Sequence, residues 1–417
     1  MTVMNSRSTS ALRAPRVFQI GGMYTISYHD GRSADWGVLA LRGARIALEE
    51  INESGFLGPD RIEMKPENIV DYHCWPEGAE RIAEELLKRD ILALTGVDCS
   101  EPAVRISEVA AKFKKPAVSY GANAAVLSSP EEFPYFVRVV TPSATYERYL
   151  VDTAAHFGLG PIVLFHTTEA WGIGAREVIL SAAESAGLAI AAVHGYPRDT
   201  PVEDVERLLA EAEALGIQDI FIAMPTPDTV TVFRAVARRG LNRPGVSIFA
   251  SEMVSADESA EAVSGALGYF APITKLRPSS KLESFRARLE KKLARSVDPD
   301  AKAFNYAVLS YDHILAVGHA LKCAGEAGEE EIGGEVLMRY LRRVDFEGAS
   351  GRVNVSPGTN DRALTAVEIM NCHGFKEDGK TVDFAPVGSV DPLTGRLTQD
   401  ESRILWPGGT ATPPRAR

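Results

Sequence analysis

Short apolar runs alternate with small polar turns and helical repeats along most of this chain. The clearest case lies between residues 92 and 146. Residues 92–95 are apolar and end in a glycine-containing turn that holds Cys99 and Ser100. Val104, Ile106, Val109, Ala110 and Phe113 follow at helical spacing. Residues 116–119 form a second apolar run, and Gly121, Ala122 and Asn123 a second polar turn. The pattern predicts strand, turn, helix, strand, turn. In a parallel α/β sheet both turns fall at the carboxyl ends of their strands, the edge where such sheets bind ligands. Two small polar turns at one edge suit an anion or a carboxylate. Ser100 opens the helix, so its hydroxyl and the free N–H groups of the first turn can point at a negative group.

The same alternation extends in both directions. Residues 17–22 predict a first strand, ending in Gly21, Gly22, Met23 and Tyr24. Leu41, Ala44, Leu48 and Ile51 repeat as a helix does over 37–52. A second strand falls within 61–74, and Ala79, Ile82, Ala83 and Leu86 mark a second helix. After Pro142 the alternation restarts. Helices are predicted over 145–157, 175–186, 202–215 and 228–239, and strands over 162–165, 189–193, 219–223 and 246–250. This second block predicts a second doubly wound lobe. Beyond it, 268–273 and 364–371 read as strands, and 280–294, 304–324 and 335–343 as helices. Gly348 and Gly351 supply a tight turn between them. The fold class is α/β, with two Rossmann-like lobes.

At 417 residues the chain is long enough for two or three domains. No apolar run approaches the roughly 20 residues of a membrane helix. With 56 acidic against 45 basic residues the net charge is −11, which argues against nucleic acid as the main partner. Residues 1–16 are polar and basic with no apolar core, so they do not read as a secretory signal. That leaves a cytoplasmic protein or a trimmed, exported one. The cysteines are Cys74, Cys99, Cys323 and Cys372, with no CxxC and so no zinc or thioredoxin-type motif.

VDCS at 97–100, followed by PAVSYGANAAVLSSPEEFPYFVRVVTPSATY at 116–146, resembles the ligand-binding region of the type I periplasmic binding protein superfamily. The nearest branch is similar to receptor ectodomains: natriuretic-peptide receptors, class C G-protein-coupled receptors and the amino-terminal domains of glutamate receptors. Branched-chain amino-acid and amide binding proteins are more distant. The resemblance runs from about residue 18 to about residue 355. It implies two lobes joined by a three-strand hinge. On that basis lobe one takes 16–141 plus 255–343 and lobe two 142–254 plus 344–385. A disordered N-terminus over 1–15 and a C-terminal extension over 386–417 complete the expectation. The WPGG segment at 406–409 is similar to one that precedes the next module in some receptors; a frayed extension is the alternative. The resemblance also implies a Cys74–Cys99 disulfide, against two buried thiols as the alternative. A Cys323–Cys372 bridge stays open.

The resemblance nominates site residues at the strand ends of both lobes. Ser100, Gly121, Ala122 and Asn123 would hold a carboxylate, unless Ser100 only caps its helix and Asn123 only turns the chain. Trp171 and Gly172 stand where the family usually has Tyr-Gly, the ring covering the ligand; an ordinary packing Trp is the alternative. Glu252 would pair with a ligand amine, or is a solvated loop acid. Tyr24, Trp36 and Met224 are further candidates for the side-chain pocket. Metabotropic-type receptors often carry an Asp after the first crossing, and here 141–145 reads Thr-Pro-Ser-Ala-Thr. An amide, a short carboxylate or a purine-like ligand therefore stays open beside an amino acid.

No HExxH, P-loop, GxSxG or dinucleotide fingerprint occurs, and the histidines are scattered, so neither an enzyme nor a cofactor is suggested. The expectation is a non-catalytic, hinge-closing binder of a small polar ligand, an amino acid or derivative first. It would be periplasmic or extracellular and would serve a membrane permease or receptor module, with a homodimer by analogy to the receptor branch. A cytoplasmic amide-type regulator and an ectodomain without ligand are the alternatives.

Overall fold

The computed structural model describes residues 14–254, 259–363 and 366–414. Its first part contains β1 (Val17–Gln19), β2 (Gly21–Tyr24), α1 (Asp35–Glu53), β3 (Arg61–Glu63) and β4 (Ile69–Asp71). Then come α2 (Ala79–Leu87), β5 (Leu94–Gly96), α3 (Ser100–Phe113), β6 (Ala117–Ser119) and β7 (Phe136–Arg138). The middle part runs α4 (Ser143–His156), β8 (Ile162–Thr167), α5 (Ala170–Ala186), β9 (Ile190–Tyr196) and α6 (Val202–Ala214). It continues with β10 (Asp219–Ala223), α7 (Thr226–Arg238), β11 (Ser247–Ala250), α8 (Ala260–Ala266) and β12 (Phe270–Thr274). The last part has α9 (Ser280–Leu293), α10 (Lys302–Glu326), α11 (Gly334–Leu341) and the hairpin β13 (Asp345–Gly348) to β14 (Gly351–Asn354). It ends with β15 (Val367–Phe375), β16 (Val382–Val390) and β17 (Leu397–Gln399).

Two sheets carry the lobes. The first is parallel, in the order β4-β2-β5-β6-β7. The second runs β9-β8-β10-β11-β12-β15-β16-β17, parallel up to β12 and antiparallel beyond. Both sheets are covered on two faces, and neighbouring strand residues show it. Ala117 packs in the cluster of α2 and α3, while Val118 packs in that of α1 and α10. Ile162 and Leu164 face α4 and α5, while Val163 and Phe165 face α6, α7 and α8. Double burial explains why these strands read as unbroken apolar runs.

The chain passes between the lobes three times, after β7, after β12 and after β14. These passages are tied to one another. Thr141 Oγ1 lies 2.8 Å from Thr274 Oγ1, and Tyr146 OH lies 2.6 Å from the same oxygen. The third passage holds Arg362, which is buried and donates to the Val139 carbonyl at 3.2 Å.

Several sequence-based boundaries move. β12, within the stretch 255–343 expected in lobe one, pairs with β11 and β15 in the second sheet. The hairpin expected in lobe two packs against α10 instead: Phe346 and Val353 join its core cluster. Asp312 of α10 accepts the Ala349 and Ser350 N–H groups at 2.8 Å each. Any Cβ at Gly348 would run into that carboxylate. The stretch 386–417 does not fray where it is described. β16 continues to Val390, β17 pairs with it, and Trp406 is 1% exposed between Phe157 and Phe270, 5.0 and 5.1 Å away. Apart from Ala14 and Pro15, the expected disordered N-terminus lies outside the described residues. So do 255–258, 364–365 and 415–417. Cys74 and Cys99 form a disulfide, whereas Cys323 is exposed and Cys372 buried, each a free thiol.

Two stability predictions follow from this packing. Trp406→Ala should cost about 3–5 kcal/mol, because it empties an aromatic cluster joining the C-terminal segment to α4 and β12. Urea denaturation checks this, and a loss below about 1 kcal/mol would return the segment to a loose extension. The second concerns Glu147 in α4, which is fully buried. Burial pushes its carboxyl up to about 8, and the nearby Glu252 charge adds to the shift. The unfolded carboxyl ionises near 4.5 and the folded one near 8, so stability falls as the pH rises between those values. Glu147→Gln should flatten that fall and add about 4 kcal/mol at about pH 7.5. Melting curves across that pH range, unchanged in slope by the substitution, would refute it.

Candidate functional site

One buried carboxylate organises the first sheet's carboxyl edge. Thr25, Tyr72 and Tyr120 each directly follow their strands β2, β4 and β6, and Asp98 lies two residues past β5. Asp98 Oδ1 accepts from Thr25 Oγ1 at 2.7 Å and from the Tyr72 hydroxyl. Its Oδ2 accepts from the Thr25 N–H at 2.9 Å and the Tyr120 hydroxyl at 2.8 Å. Burial holds the Asp98 carboxyl above the usual carboxylate range, while these hydrogen bonds pull the other way. The Tyr72 hydroxyl in turn accepts the N–H groups of Asp98 and Cys99 at 3.0 and 2.8 Å. This fixes the start of α3, whose N-cap is Cys99. The Cys74–Cys99 bridge ties the same point to the chain beyond β4.

Between the lobes lies a cavity of about 400 Å³. Ser100, Gly121, Asn123, Trp171 and Glu252 all line it, as does Trp36. Ser100 Oγ accepts the N–H groups of Asn123 and Ala124, each at 3.1 Å, and donates to Asn123 Oδ1 at 3.3 Å. Asn123 Oδ1 also accepts the Trp171 indole N–H at 2.8 Å, across the cleft. Trp171 stands in the first turn of α5, which begins before the predicted 175 because the Glu169 carboxylate caps it. Gly121 is needed where it is: a Cβ there would come within 2.8 Å of the Asp98 carbonyl.

Four expected residues lie behind the cavity wall. Ala122 is fully buried, and its carbonyl accepts from Arg138 at 3.2 Å. Gly172 packs against Thr167 and gives its N–H to Glu169 at 3.2 Å. Tyr24 forms a second layer, its ring 5.9 Å from that of Tyr120 and its hydroxyl 3.4 Å from His313 Nε2. Burial also lifts the Tyr24 phenol far above its ordinary range. Met224 is likewise buried, behind Tyr196.

Glu252 has a partner that the sequence did not disclose. Lys302, the first residue of α10, places its Nζ 2.6 Å from Glu252 Oε2 and 2.8 Å from Thr226 Oγ1. The same ammonium lies 5.5 Å from the centre of the Tyr306 ring. A second ion pair crosses the cleft, Arg198 to Glu101 at 3.6 Å, with Arg198 also 3.2 Å from Asp228. Polar contacts that join the lobes at the cavity include Asn123–Trp171, Glu101–Arg198 and Lys302 with Glu252 and Thr226. Tyr28, Trp36 and Tyr306 give the cavity aromatic faces, and the Trp36 indole donates to Tyr28 OH at 2.8 Å. Asp98, Tyr72 and Tyr120 were not picked out from the sequence; of the three, only Tyr120 directly follows a predicted strand, 116–119. Arg198 and Lys302 gave no local signal. Among the described residues no group of three or more His, Cys, Asp or Glu is placed to hold a metal ion, and no helix is long and apolar enough to cross a membrane.

This arrangement matches known proteins. The receptor family ligand binding region matches residues 39–374. Glutamate receptor 3.1 of Oryza sativa subsp. japonica is 23% identical, over 96% of this chain and 46% of the receptor. Metabotropic glutamate receptor-like protein E of Dictyostelium discoideum is 21% identical, over 88% and 44%. The chain therefore spans less than half the length of these relatives. Among solved structures, an ABC-transporter solute binding protein from Rhodopseudomonas palustris BisB5, in complex with 3,4-dihydroxybenzoic acid, superposes with a TM-score of 0.71. It is 20% identical and matches 91% of this chain and 98% of its own. A second R. palustris solute binding protein, in complex with 4-hydroxybenzoate, gives 0.73 at 18% identity, over 90% and 97%. These structures share the two-lobed type I periplasmic binding protein fold. With most of its length inside the matched region, the chain belongs to the receptor family ligand-binding region.

Proposed function

We propose that this protein is a non-catalytic binding protein that closes its lobes on a small organic acid and presents the closed form to a permease or receptor module. The observation that carries this reading is the cavity at the carboxyl ends of both sheets, bridged by side chains from both lobes. A ligand between the lobes stabilises the closed state only if it binds that state better than the open one. Contacts from Arg198 on one wall and from the amino end of α3 on the other supply that preference. The disulfide at the cavity wall favours an oxidising compartment, the periplasm or the cell exterior, over the cytoplasm. The solute binding proteins of similar fold are complexed with hydroxybenzoic acids, which extends the ligand range from amino acids to aromatic carboxylates.

A thermal-shift screen of refolded protein against amino acids, short amides, aliphatic acids, hydroxybenzoates and nucleobases tests the reading. A true ligand at about a hundred times its Kd adds about 2.7 kcal/mol, a few degrees in melting temperature. No shift with any class would sink it. With a ligand in hand, Trp171→Phe keeps a ring but removes the indole donor to Asn123. Affinity should fall by about threefold to tenfold, read by calorimetry. Unchanged affinity would mean that this contact takes no part in closure.

A further inference from the structure

The ligand class can be narrowed from how the cleft's charges are already committed, given that the cleft is a carboxylate site. Glu252, just past β11, stands where a ligand amine would dock, yet Lys302 holds its carboxylate at 2.6 Å. Both side chains are largely buried, at 12% and 14% exposure, so this is not a loose surface pair. The ammonium's other hydrogen bonds go to Thr226 Oγ1 and the Met253 carbonyl. An incoming ligand ammonium would have to displace Lys302 and leave it buried without its anion, which is strongly unfavourable.

Among the described acids that line the cleft, Asp30 is paired with Arg32 and Asp199 is exposed, and the others are already engaged. Asp98 is enclosed by its hydroxyl and amide donors, and Glu169 caps α5. Glu101 faces Arg198. The acid end of a ligand is better served. Arg198 Nη1 is 3.6 Å from Glu101, too long for a good hydrogen bond, and its Nε donates to Asp228 at 3.2 Å, so the guanidinium keeps N–H donors for a ligand carboxylate beside both acids. Ser100 lines the same cavity.

We infer that Lys302 is the specificity-determining residue of the cleft: by occupying Glu252 it selects organic acids that lack an α-amine, with an apolar or aromatic body, over amino acids. Here Lys302 does from within the chain what a ligand amine would otherwise do, and it does so from the opposite lobe. The aromatic faces of Trp36 and Tyr306 receive the body of the acid.

Matched pairs that differ only in the amine test this: phenylacetate against phenylglycine, hydrocinnamate against phenylalanine, and isocaproate against leucine. Calorimetry on the unmodified chain should favour the acid of a pair by about tenfold or more. Lys302→Met frees Glu252 and should narrow or reverse that ratio. Glu252→Gln frees the ammonium and should tighten acid binding several-fold without any gain for the amino acids. This second variant keeps the test decisive should the first fail to fold, which circular dichroism would reveal. A preference for the amino acid in the unmodified chain would overturn the inference, as would weaker acid binding in Glu252→Gln. An unchanged ratio in folded Lys302→Met would do so too. Each of those outcomes leaves the carboxylate cleft standing. No binding of any pair member or of 4-hydroxybenzoate, by folded protein, would remove the cleft reading and this inference together.

Discussion

Four strand ends of the first sheet converge on the Asp98 carboxylate, and the cavity wall depends on that convergence. Burying a carboxylate is expensive unless donors replace its water. Here Thr25, Tyr72 and Tyr120 supply them from the ends of three different strands. The arrangement is mutual, since burial also raises the phenols of Tyr72 and Tyr120 well above their ordinary range and keeps them as donors. Tyr72 carries two further backbone N–H groups at the start of α3. The position of Ser100 is therefore set by a network with few free alternatives, rather than by the loop that contains it.

The hinge is coupled to this wall through buried arginines. Arg138, at the end of β7, is 1% exposed and donates to the carbonyls of Ala122 and Ala124 at 3.2 and 2.7 Å. Those residues flank Asn123, which reaches across to Trp171. Asp361, on the third passage between the lobes, neutralises Arg138 at 2.7 Å. Its neighbour Asn360 gives its side-chain amide to the carbonyls of Leu127, Ser129 and Phe133. The third passage is thus linked through Arg138 to the turn that holds Asn123. Ala122 takes part in this link through its carbonyl.

The βαβ alternation was legible because doubly covered strands must be apolar throughout and their helices must show one apolar face. Positions past strand ends could be read in the same way, the family resemblance named which of them to choose, and Ser100, Gly121, Asn123, Trp171 and Glu252 line the cavity. The second half of the site was not legible. Lys302 is 50 positions from Glu252 and looks like any helix-opening lysine, and Arg198 follows an edge strand whose burial alternates. Pairings between lobes are set by how two separate sheets face each other, and no local pattern encodes that. The C-terminal boundary failed for a related reason. β16 and β17 carry Pro386, Gly388 and Thr398, which read as loop, and only pairing with β15 makes them strand.

Closure is where these pieces meet. The indole–amide contact and the two ion pairs each join one lobe to the other, so each favours the closed arrangement whatever lies in the cavity. A ligand that leaves them intact adds its own contacts to theirs. One that must break the buried Glu252–Lys302 pair first loses part of the closing free energy it is meant to supply, and only the remainder drives the lobes together. Selectivity in such a cleft therefore rests as much on what a ligand does not disturb as on what it touches. The chain's own charge pairs draw that line before any ligand arrives.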